Sequence, residues 1–195
     1  VNLHRTAVFL AYDEGDVFWE QSFNRKQMFQ ATSLELHFLE VSNNRPDNVP
    51  GQIPFSIALS VIYSLGADYI VRVNDDTEFT SREFITKGIR ELMSFSPPNV
   101  GVIGPHCDVG PQNILTHDMV HRTHLKVFEN YYPTEFSNWW IDDWISQVYG
   151  EQRTKRVKGW TVAHHTGAHG RRYHVDKCQE RLLVPLVEHG KSLVK

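Results

Sequence analysis

Residues 68–79 restrict the fold of this chain more than any other stretch, because an apolar run of strand type ends there in adjacent carboxylates. The run contains four β-favouring residues, which predict a central, largely buried strand: Tyr69, Ile70, Val71 and Val73. The triplet Asn74-Asp75-Asp76 then lies at the carboxyl end of that strand, where open α/β sheets bind ligands. The same triplet also suits a simple acidic turn whose side chains bond to nearby backbone groups.

Length and charge set broad limits on the class of protein. The 195 residues fit one domain with a real core. A hydrophobic content of 41% and a charged content of 22% are ordinary for enzymes and binding modules alike. A net charge of −3 argues against a surface built to grip nucleic acid.

The two cysteines, Cys107 and Cys178, lack metal-type spacing and do not indicate a disulfide framework. The chain has no Asn-x-Ser/Thr acceptor site, no apolar run of membrane-spanning length and no signal-peptide pattern at its amino terminus. These features predict a cytoplasmic protein without a membrane span. The chain opens on Val1, which also suits a domain taken from a longer protein.

Strand-like and helix-like runs alternate through the first half. Strands are predicted at 5–11, 34–41, 69–73 and 100–103, and helices at 17–30, at 54–66 and from Ser81 to the Pro97-Pro98 break. This alternation indicates parallel βαβ units. We therefore expect an α/β domain with a mostly parallel central sheet flanked by helices.

A second acidic centre lies in the aromatic-rich second half, at residues 139–149. At about 100° per residue, the apolar residues share one helix face, Asp143 lies nearly opposite it and Asp142 lies at its border. One carboxylate can then point into a cleft while the tryptophans hold the helix. Acidic residues in a first helical turn also act as simple caps, so this motif alone decides nothing.

A third centre begins at His164-His165, where a strand-like run passes into a glycine-rich basic loop with Arg171 and Arg172. A neutral histidine nitrogen can complete a carboxylate-bound Mn²⁺ site, and arginines can bind phosphate oxygens. If the strand persists, the two histidines point to opposite sides. The alternative is a mobile surface loop.

Three motifs follow one another along the chain: a strand ending in Asn74-Asp75-Asp76, a Gly104-Pro105 turn after the next strand, and a Trp-x-Asp-Asp-Trp helix. Together they resemble a glycosyltransferase of the GT-A fold. The chain is similar in particular to algal-virus glycosyltransferases, which would place it in a host cytoplasm, and to the inverting N-acetylglucosaminyltransferase that starts complex N-glycans. It departs from the usual pattern in having Asn74 where an acid is frequent and Ile141 inserted between Trp and Asp.

The resemblance implies a single GT-A (Rossmann-like) domain over residues 1–195. Residues 1–110 would bind the nucleotide sugar and the metal, and residues 111–195 would form the acceptor-side half with a closing loop. The reaction implied is transfer of a sugar from a nucleotide sugar, UDP-linked by resemblance, to a hydroxyl of a glycan or other acceptor, with inversion.

The resemblance also implies roles for individual residues. Asp76 would hold Mn²⁺ or Mg²⁺, with His164 or His165 as a further ligand. Asp143 would be the catalytic base, with Asp142 as the alternative. Residues of the strand ends and loops would contact the donor: Tyr12, Asp13, Asn43, Arg45, Asn74, Asp75, Gly104, Pro105, His106 and Arg171.

Two other classes of protein fit parts of the pattern. A nucleotidyltransferase also binds a nucleotide and a metal at a sheet edge, but the loop after the first strand, residues 12–16, is acidic and poor in glycine. A non-catalytic domain of the same fold would use the cleft or its exposed aromatics to bind a partner.

Overall fold

The computed structural model describes residues 6–42, 55–137, 139–165, 167 and 177–194. The strands in these ranges are β1 (Ala7–Asp13), β2 (Glu35–Val41), β3 (Tyr69–Arg72), β4 (Thr77–Phe79), β5 (Val102–Cys107), β6 (Asp118–His121) and β7 (Thr154–His164). The helices are α1 (Ser22–Ala31), α2 (Phe55–Ser64), α3 (Phe84–Met93), α4 (Thr123–Phe128), α5 (Ile141–Val148), α6 (Lys177–Glu180) and α7 (Leu183–Leu193), and a 3₁₀ turn, Glu151–Arg153, precedes β7. No helix in the described ranges is long and apolar enough to cross a membrane.

The first part of the chain forms the βαβ unit that the sequence predicts. Strands β1 and β2 pair in parallel, from Ala7 opposite Glu35 to Asp13 opposite Val41. Helix α1 begins later than predicted, because Asp16 Oδ1 accepts the backbone N–H groups of the next turn, at 2.9 Å each, and holds that turn outside the helix. The α/β class is therefore confirmed.

The main sheet differs from the prediction. Its five strands run in the order β3-β6-β5-β7-β4. Only β5 and β7 pair in parallel, whereas β3 with β6, β5 with β6 and β4 with β7 are antiparallel. The expectation of a mostly parallel central sheet is wrong for this sheet, and β3 lies at its edge instead of its centre. The prediction failed because it missed two strands, β4 and β6, which are too short or too polar to give a periodic signal in the sequence.

The sheet is curled, because its two outermost strands are joined by a very short connection. Four gaps of about 4.8 Å would separate β3 from β4 by about 19 Å in a flat sheet. Residues 73–76 alone join Arg72 to Thr77, and five Cα steps cover at most about 18 Å when fully extended. A turn at Asp75 and Asp76 shortens this reach further. The strand directions then bring the carboxyl ends of β3, β5 and β7 and the amino ends of β4 and β6 to one edge.

Helices cover both faces of the curled sheet. Alternate residues of β5 and β6 face opposite sides, as the two-residue period of a strand requires. Val102 and Val120 join the cluster formed with α2, α4, α5 and α7, whereas Ile103 and Met119 join the cluster formed with α3. Two packed cores therefore fix the strand ends from both sides.

Helices α5 and α7 approach closely because α7 carries a glycine at the contact. A Cβ at Gly190 would lie 2.4 Å from Val148 Cγ2 and 3.4 Å from Trp144 Cζ2. Trp144 Nε1 also donates to the Leu186 carbonyl at 3.2 Å. This packing holds α5, which carries the two adjacent aspartates.

We expect Gly190→Ala to destabilise the protein, although alanine favours a helix over glycine by about 1 kcal/mol. Overpacking of a filled core costs about 1–3 kcal/mol and outweighs that gain. The loss should largely disappear in a Val148→Ala background, where the clash has no partner. Urea denaturation of the four variants measures both effects, and an equal loss in both backgrounds contradicts the close-packing explanation.

Candidate active site

A buried ion pair lies at the edge where the strand ends meet. Arg72 ends β3, Asp118 begins β6, and the register places them opposite each other. Their exposed fractions are 5% and 0%, and Arg72 Nη2 lies 3.0 Å from Asp118 Oδ2. The hydroxyls of Tyr131 and Tyr132 donate to the two carboxylate oxygens at 2.6 and 2.5 Å. A charge buried this deeply persists only with such partners.

The remaining donors of Arg72 point towards the two acidic motifs. Nη1 donates to Asn74 Oδ1 at 3.2 Å and to the Thr116 carbonyl at 3.0 Å. Nη2 also forms an ion pair with Asp142 Oδ1. One guanidinium therefore connects the triplet after β3 with the first turn of α5.

Helix α5 begins at a strained residue that aims its first turn. Trp140 has φ 74° and ψ −9°, a left-handed conformation that is costly for a bulky side chain. Its carbonyl nevertheless accepts the Trp144 N–H at 2.8 Å and starts the helix. The predicted apolar face is confirmed as buried: Ile141, Trp144, Ile145 and Val148.

The two aspartates of α5 have different surroundings. The side chain of Asp142 is 29% exposed. Burial raises the pKa of Asp142 to about 6, with Asp118 adding to the rise and Arg72 opposing it. One guanidinium shared by two carboxylates cannot fully compensate both. Burial also raises the pKa of the half-buried Asp143, with Glu180 adding to the rise.

Asp76 meets His164 across the β4–β7 pair. Thr77 lies opposite His164 in the register, and His164 Nε2 lies 2.8 Å from Asp76 Oδ1. Their side chains are 12% and 19% exposed. Since a carboxylate only accepts, the ring donates from Nε2. The backbone N–H of His165 donates to the Asp76 carbonyl at 2.8 Å, but its side chain points to Glu78 Oε2, 3.0 Å away at the surface. Of the two predicted ligand side chains, only that of His164 contacts the Asp76 carboxylate.

The buried His117 packs against the partly exposed His164. The rings of His117 and His164 meet edge to face with centroids 5.1 Å apart. His117 lies within hydrogen-bond distance of two hydroxyls, Thr77 Oγ1 at 2.6 Å from Nε2 and Thr116 Oγ1 at 3.1 Å from Nδ1. Burial, together with the nearby Arg72 and His164, lowers the pKa of His117 to about 3. His117 is therefore an uncharged side chain that packs beside the Asp76–His164 pair.

Asp76 and His164 are two side chains of this edge that could hold a divalent ion, and such an ion would keep several coordination positions open. No cluster of three or more His, Cys, Asp or Glu side chains that could hold a metal occurs among the residues described. The 2.8 Å between His164 Nε2 and Asp76 Oδ1 is close to the separation of about 3 Å between adjacent ligands of an octahedral ion with bonds of about 2.1 Å. Mg²⁺ is commonly held by one or two carboxylates plus substrate phosphates instead of a full protein cage.

Two residues of β1, Tyr12 and Asp13, are predicted to contact the nucleotide-sugar substrate. Tyr12 is buried, and its hydroxyl donates a hydrogen bond to Glu40 Oε2 at 3.3 Å. Asp13 ends β1, and its Oδ1 is buried without a hydrogen-bond partner among the described residues. Burial and the neighbouring Asp16 raise the pKa of Asp13. Asp13 is thus an acceptor suited to an O–H or N–H group. Asn43, Arg45 and Arg171 lie outside the described residues.

The other described residues that are predicted to contact the nucleotide-sugar substrate lie after β3 and within β5. Asp75 is exposed at the turn. Gly104, Pro105 and His106 do not form the expected turn after a strand, because β5 continues through them to Cys107. Gly104 is required there by close approach, since a Cβ would lie 2.4 Å from the His117 carbonyl. Of the three, His106 alone is exposed.

A separate groove of about 440 Å³ lies along α2 and shares no residue with the predicted site. It is lined mainly by Ile57, Val61 and Leu65, with polar groups from Ser60, Ser64, Asn130 and Thr134.

The central residues of the site, Arg72 and Asp118, were not predicted. The sequence does indicate a special role for Arg72, because an arginine inside a β-favouring run needs a buried partner. The partner has no comparable signal, since the register of β3 and β6 is a tertiary feature. Comparison with known proteins does not add to this picture: no family model, curated protein or solved structure matches the chain.

We expect Asp118→Ala to destabilise the protein by about 3–5 kcal/mol, because it leaves the buried Arg72 and two tyrosine hydroxyls without their acceptor. The matched control is Asp68→Ala. Asp68 is an acid with a side chain 68% exposed, paired with Arg122 at 3.4 Å, and its loss should cost less than about 1 kcal/mol. Urea denaturation at pH 7 compares the two, and similar losses would contradict the importance assigned to the buried pair.

Proposed function

We propose that this protein is a metal-dependent glycosyltransferase of the GT-A type that transfers a sugar from a UDP-linked donor to a hydroxyl acceptor with inversion. One observation carries the proposal. The Asn74–Asp76 triplet, His164 and Asp142 meet at the edge of an α/β sheet where three strands end, with Arg72 joining the triplet to Asp142. Two of the three motifs that suggested this function from sequence, the triplet and the aspartates of α5, are thus neighbours in space.

The donor half of the proposed site is formed by Asp76 and His164. Mn²⁺ or Mg²⁺ held by these two side chains would neutralise the diphosphate and assist departure of the nucleotide. Asp76 would present a carboxylate oxygen, and His164 would present an unprotonated Nε2 with its ring proton on Nδ1. His117 holds the His164 ring from the side. Asp13 Oδ1, which is buried without a hydrogen-bond partner among the described residues, would suit a hydroxyl or N–H of the nucleoside.

The acceptor half is formed by the first turn of α5, where one aspartate would take the proton of the attacking hydroxyl. The resemblance favours Asp143 as this base. The contacts favour Asp142, because it reaches Arg72 and thereby the triplet. A carboxyl pKa of about 6 also suits a base that works near neutral pH. We therefore propose Asp142 as the first choice and keep Asp143 as the alternative.

One observation favours a different function. The groove along α2 and its exposed Ile57 and Leu65 suit a domain that binds a partner without catalysis. A nucleotidyltransferase remains the enzymatic alternative. The cytoplasmic location also remains a prediction from the sequence.

We expect UDP with Mn²⁺ to raise the melting temperature of the wild type by about 5–10 °C at 100 times the dissociation constant. Asp76→Ala should abolish this shift, and His164→Ala should reduce it, because both remove a donor to the ion. His165→Ala is the matched control and should leave the shift intact.

Differential scanning fluorimetry across UDP- and GDP-sugars and ATP, with and without Mn²⁺, makes this measurement. A preference for ATP favours the nucleotidyltransferase, and no shift with any nucleotide favours the binding domain. A wild-type shift in Asp76→Ala contradicts the metal assignment.

For the base, we expect Asp142→Asn to lower kcat by about 10²–10⁴-fold with little change in the donor KM. Because the base acts deprotonated, wild-type kcat/KM should fall as the pH drops through about 6. Asp143→Asn should keep most of the turnover. Initial rates of sugar transfer between pH 5 and 8 distinguish the two aspartates. If Asp143→Asn loses turnover and Asp142→Asn keeps it, the base is Asp143.

A further inference from the structure

Arg72 has no hydrogen-bonding capacity left for a substrate. A guanidinium has five N–H donors. Nε faces Asp118 Oδ2 at 3.2 Å and the Tyr132 hydroxyl at 3.0 Å, Nη1 serves Asn74 and the Thr116 carbonyl, and Nη2 serves Asp118 and Asp142. With 5% of its surface exposed, Arg72 cannot be a phosphate-binding arginine. Its function must act through the residues that it holds.

Asp118 alone would be enough to neutralise Arg72 as a structural ion pair. The contacts to Asn74 and Asp142 satisfy further donors of the guanidinium, and they join Arg72 to two side chains of the proposed site. They lie on opposite halves of the proposed site, one beside the metal-binding acid and one on the acceptor-side helix. They are also held by neighbouring nitrogens of one planar group, whose geometry cannot change.

We propose that Arg72 is a positioning residue that fixes the proposed base Asp142 against the donor-side Asn74, so that both halves of the site keep one spacing. This inference rests on the proposed function. The planar fork is essential to it, because the single ammonium of lysine cannot bind Asn74, Asp118 and Asp142 in the same fixed arrangement.

Several charged and titratable groups set the electrostatics of this contact. Asp118, Tyr132 and Asp142 face the guanidinium directly, Tyr131 acts on Asp118, and Asp143 and His117 lie close enough to influence Asp142 and Arg72. Although burial opposes it, the neighbouring Tyr132, Asp142 and Asp118 raise the pKa of Arg72 well above its usual value. Arg72 therefore remains charged throughout the working pH range and holds the pKa of Asp142 below the value that burial alone would give.

The test is Arg72→Lys, compared with two controls. Tyr131→Phe removes a buried hydrogen bond to Asp118 without touching Arg72. Arg122→Lys makes the same chemical change in an arginine paired with Asp68 at the surface. Folding of each variant is checked by circular dichroism and urea denaturation before any rate is measured.

We expect Arg72→Lys to lower kcat by about 100-fold, the scale of a misplacement of about 1 Å, with the donor KM changed by less than about threefold. The acid limb of kcat/KM should move to higher pH, because Asp142 loses its closest cationic contact. Tyr131→Phe should lower stability and change kcat and the acid limb much less than Arg72→Lys does, because it leaves every contact of Arg72 in place. The proposal is overturned if Arg72→Lys keeps wild-type kcat and pH dependence, or if Tyr131→Phe loses as much turnover.

A second readout separates this inference from the proposed function. Carbon-13 NMR titration of the aspartate carboxyls, assigned with Asp142→Asn, measures the Asp142 pKa without any substrate. A rise in Arg72→Lys but not in Tyr131→Phe supports the electrostatic link even if no sugar is transferred, and an unchanged pKa contradicts it. Absence of wild-type transfer with every donor would instead contradict the proposed function.

If Arg72→Lys fails to fold, a double-mutant cycle of Asn74→Ala and Asp142→Asn tests the same link through the unchanged arginine. Arg72 bridges these two side chains. Coupling of more than about threefold in donor-dependent stabilisation or rate supports the proposal, and additive effects overturn it.

Discussion

The buried guanidinium of Arg72 is the interaction on which the arrangement of the sheet edge depends. A cation with 5% exposure is stable only if its donors are satisfied. Its partners come from the adjoining strand, the turn after β3, the tyrosines after α4 and the first turn of α5. Because these elements must all reach one planar group, their relative positions are tightly restricted.

The curl of the sheet gives these elements a common meeting point. The four-residue connection between β3 and β4 closes one end of the sheet, and mixed strand directions bring strand starts and strand ends to that edge. Asp76 thus lies beside His164, although 87 residues separate them along the chain. The same closure leaves the side chains of the Asp76–His164 pair only partly exposed.

The three carboxylates at this sheet edge differ in their surroundings. Asp118 is saturated by one arginine and two tyrosine hydroxyls and serves structure. Asp142 shares the same arginine but keeps some exposure, and its raised pKa reflects burial that one cation cannot fully offset. Asp76 meets His164 and, in the described contacts, no arginine. Residues of one type therefore acquire three different chemical characters from their neighbours.

Local patterns in the sequence determined the α/β class, most helices and strands of the first half, the triplet after β3 and the buried face of α5. These features follow from short-range periodicity and residue preference. Tertiary structure decided the mixed order of the main sheet, the continuation of β5 through Gly104 and Pro105, the choice of His164 over His165 beside Asp76, and the partnership of Arg72 with Asp118 and Asp142. The physical reason is that strand pairing and buried charge compensation join residues that are distant in sequence, so their energies depend on register and curl, which no local pattern encodes.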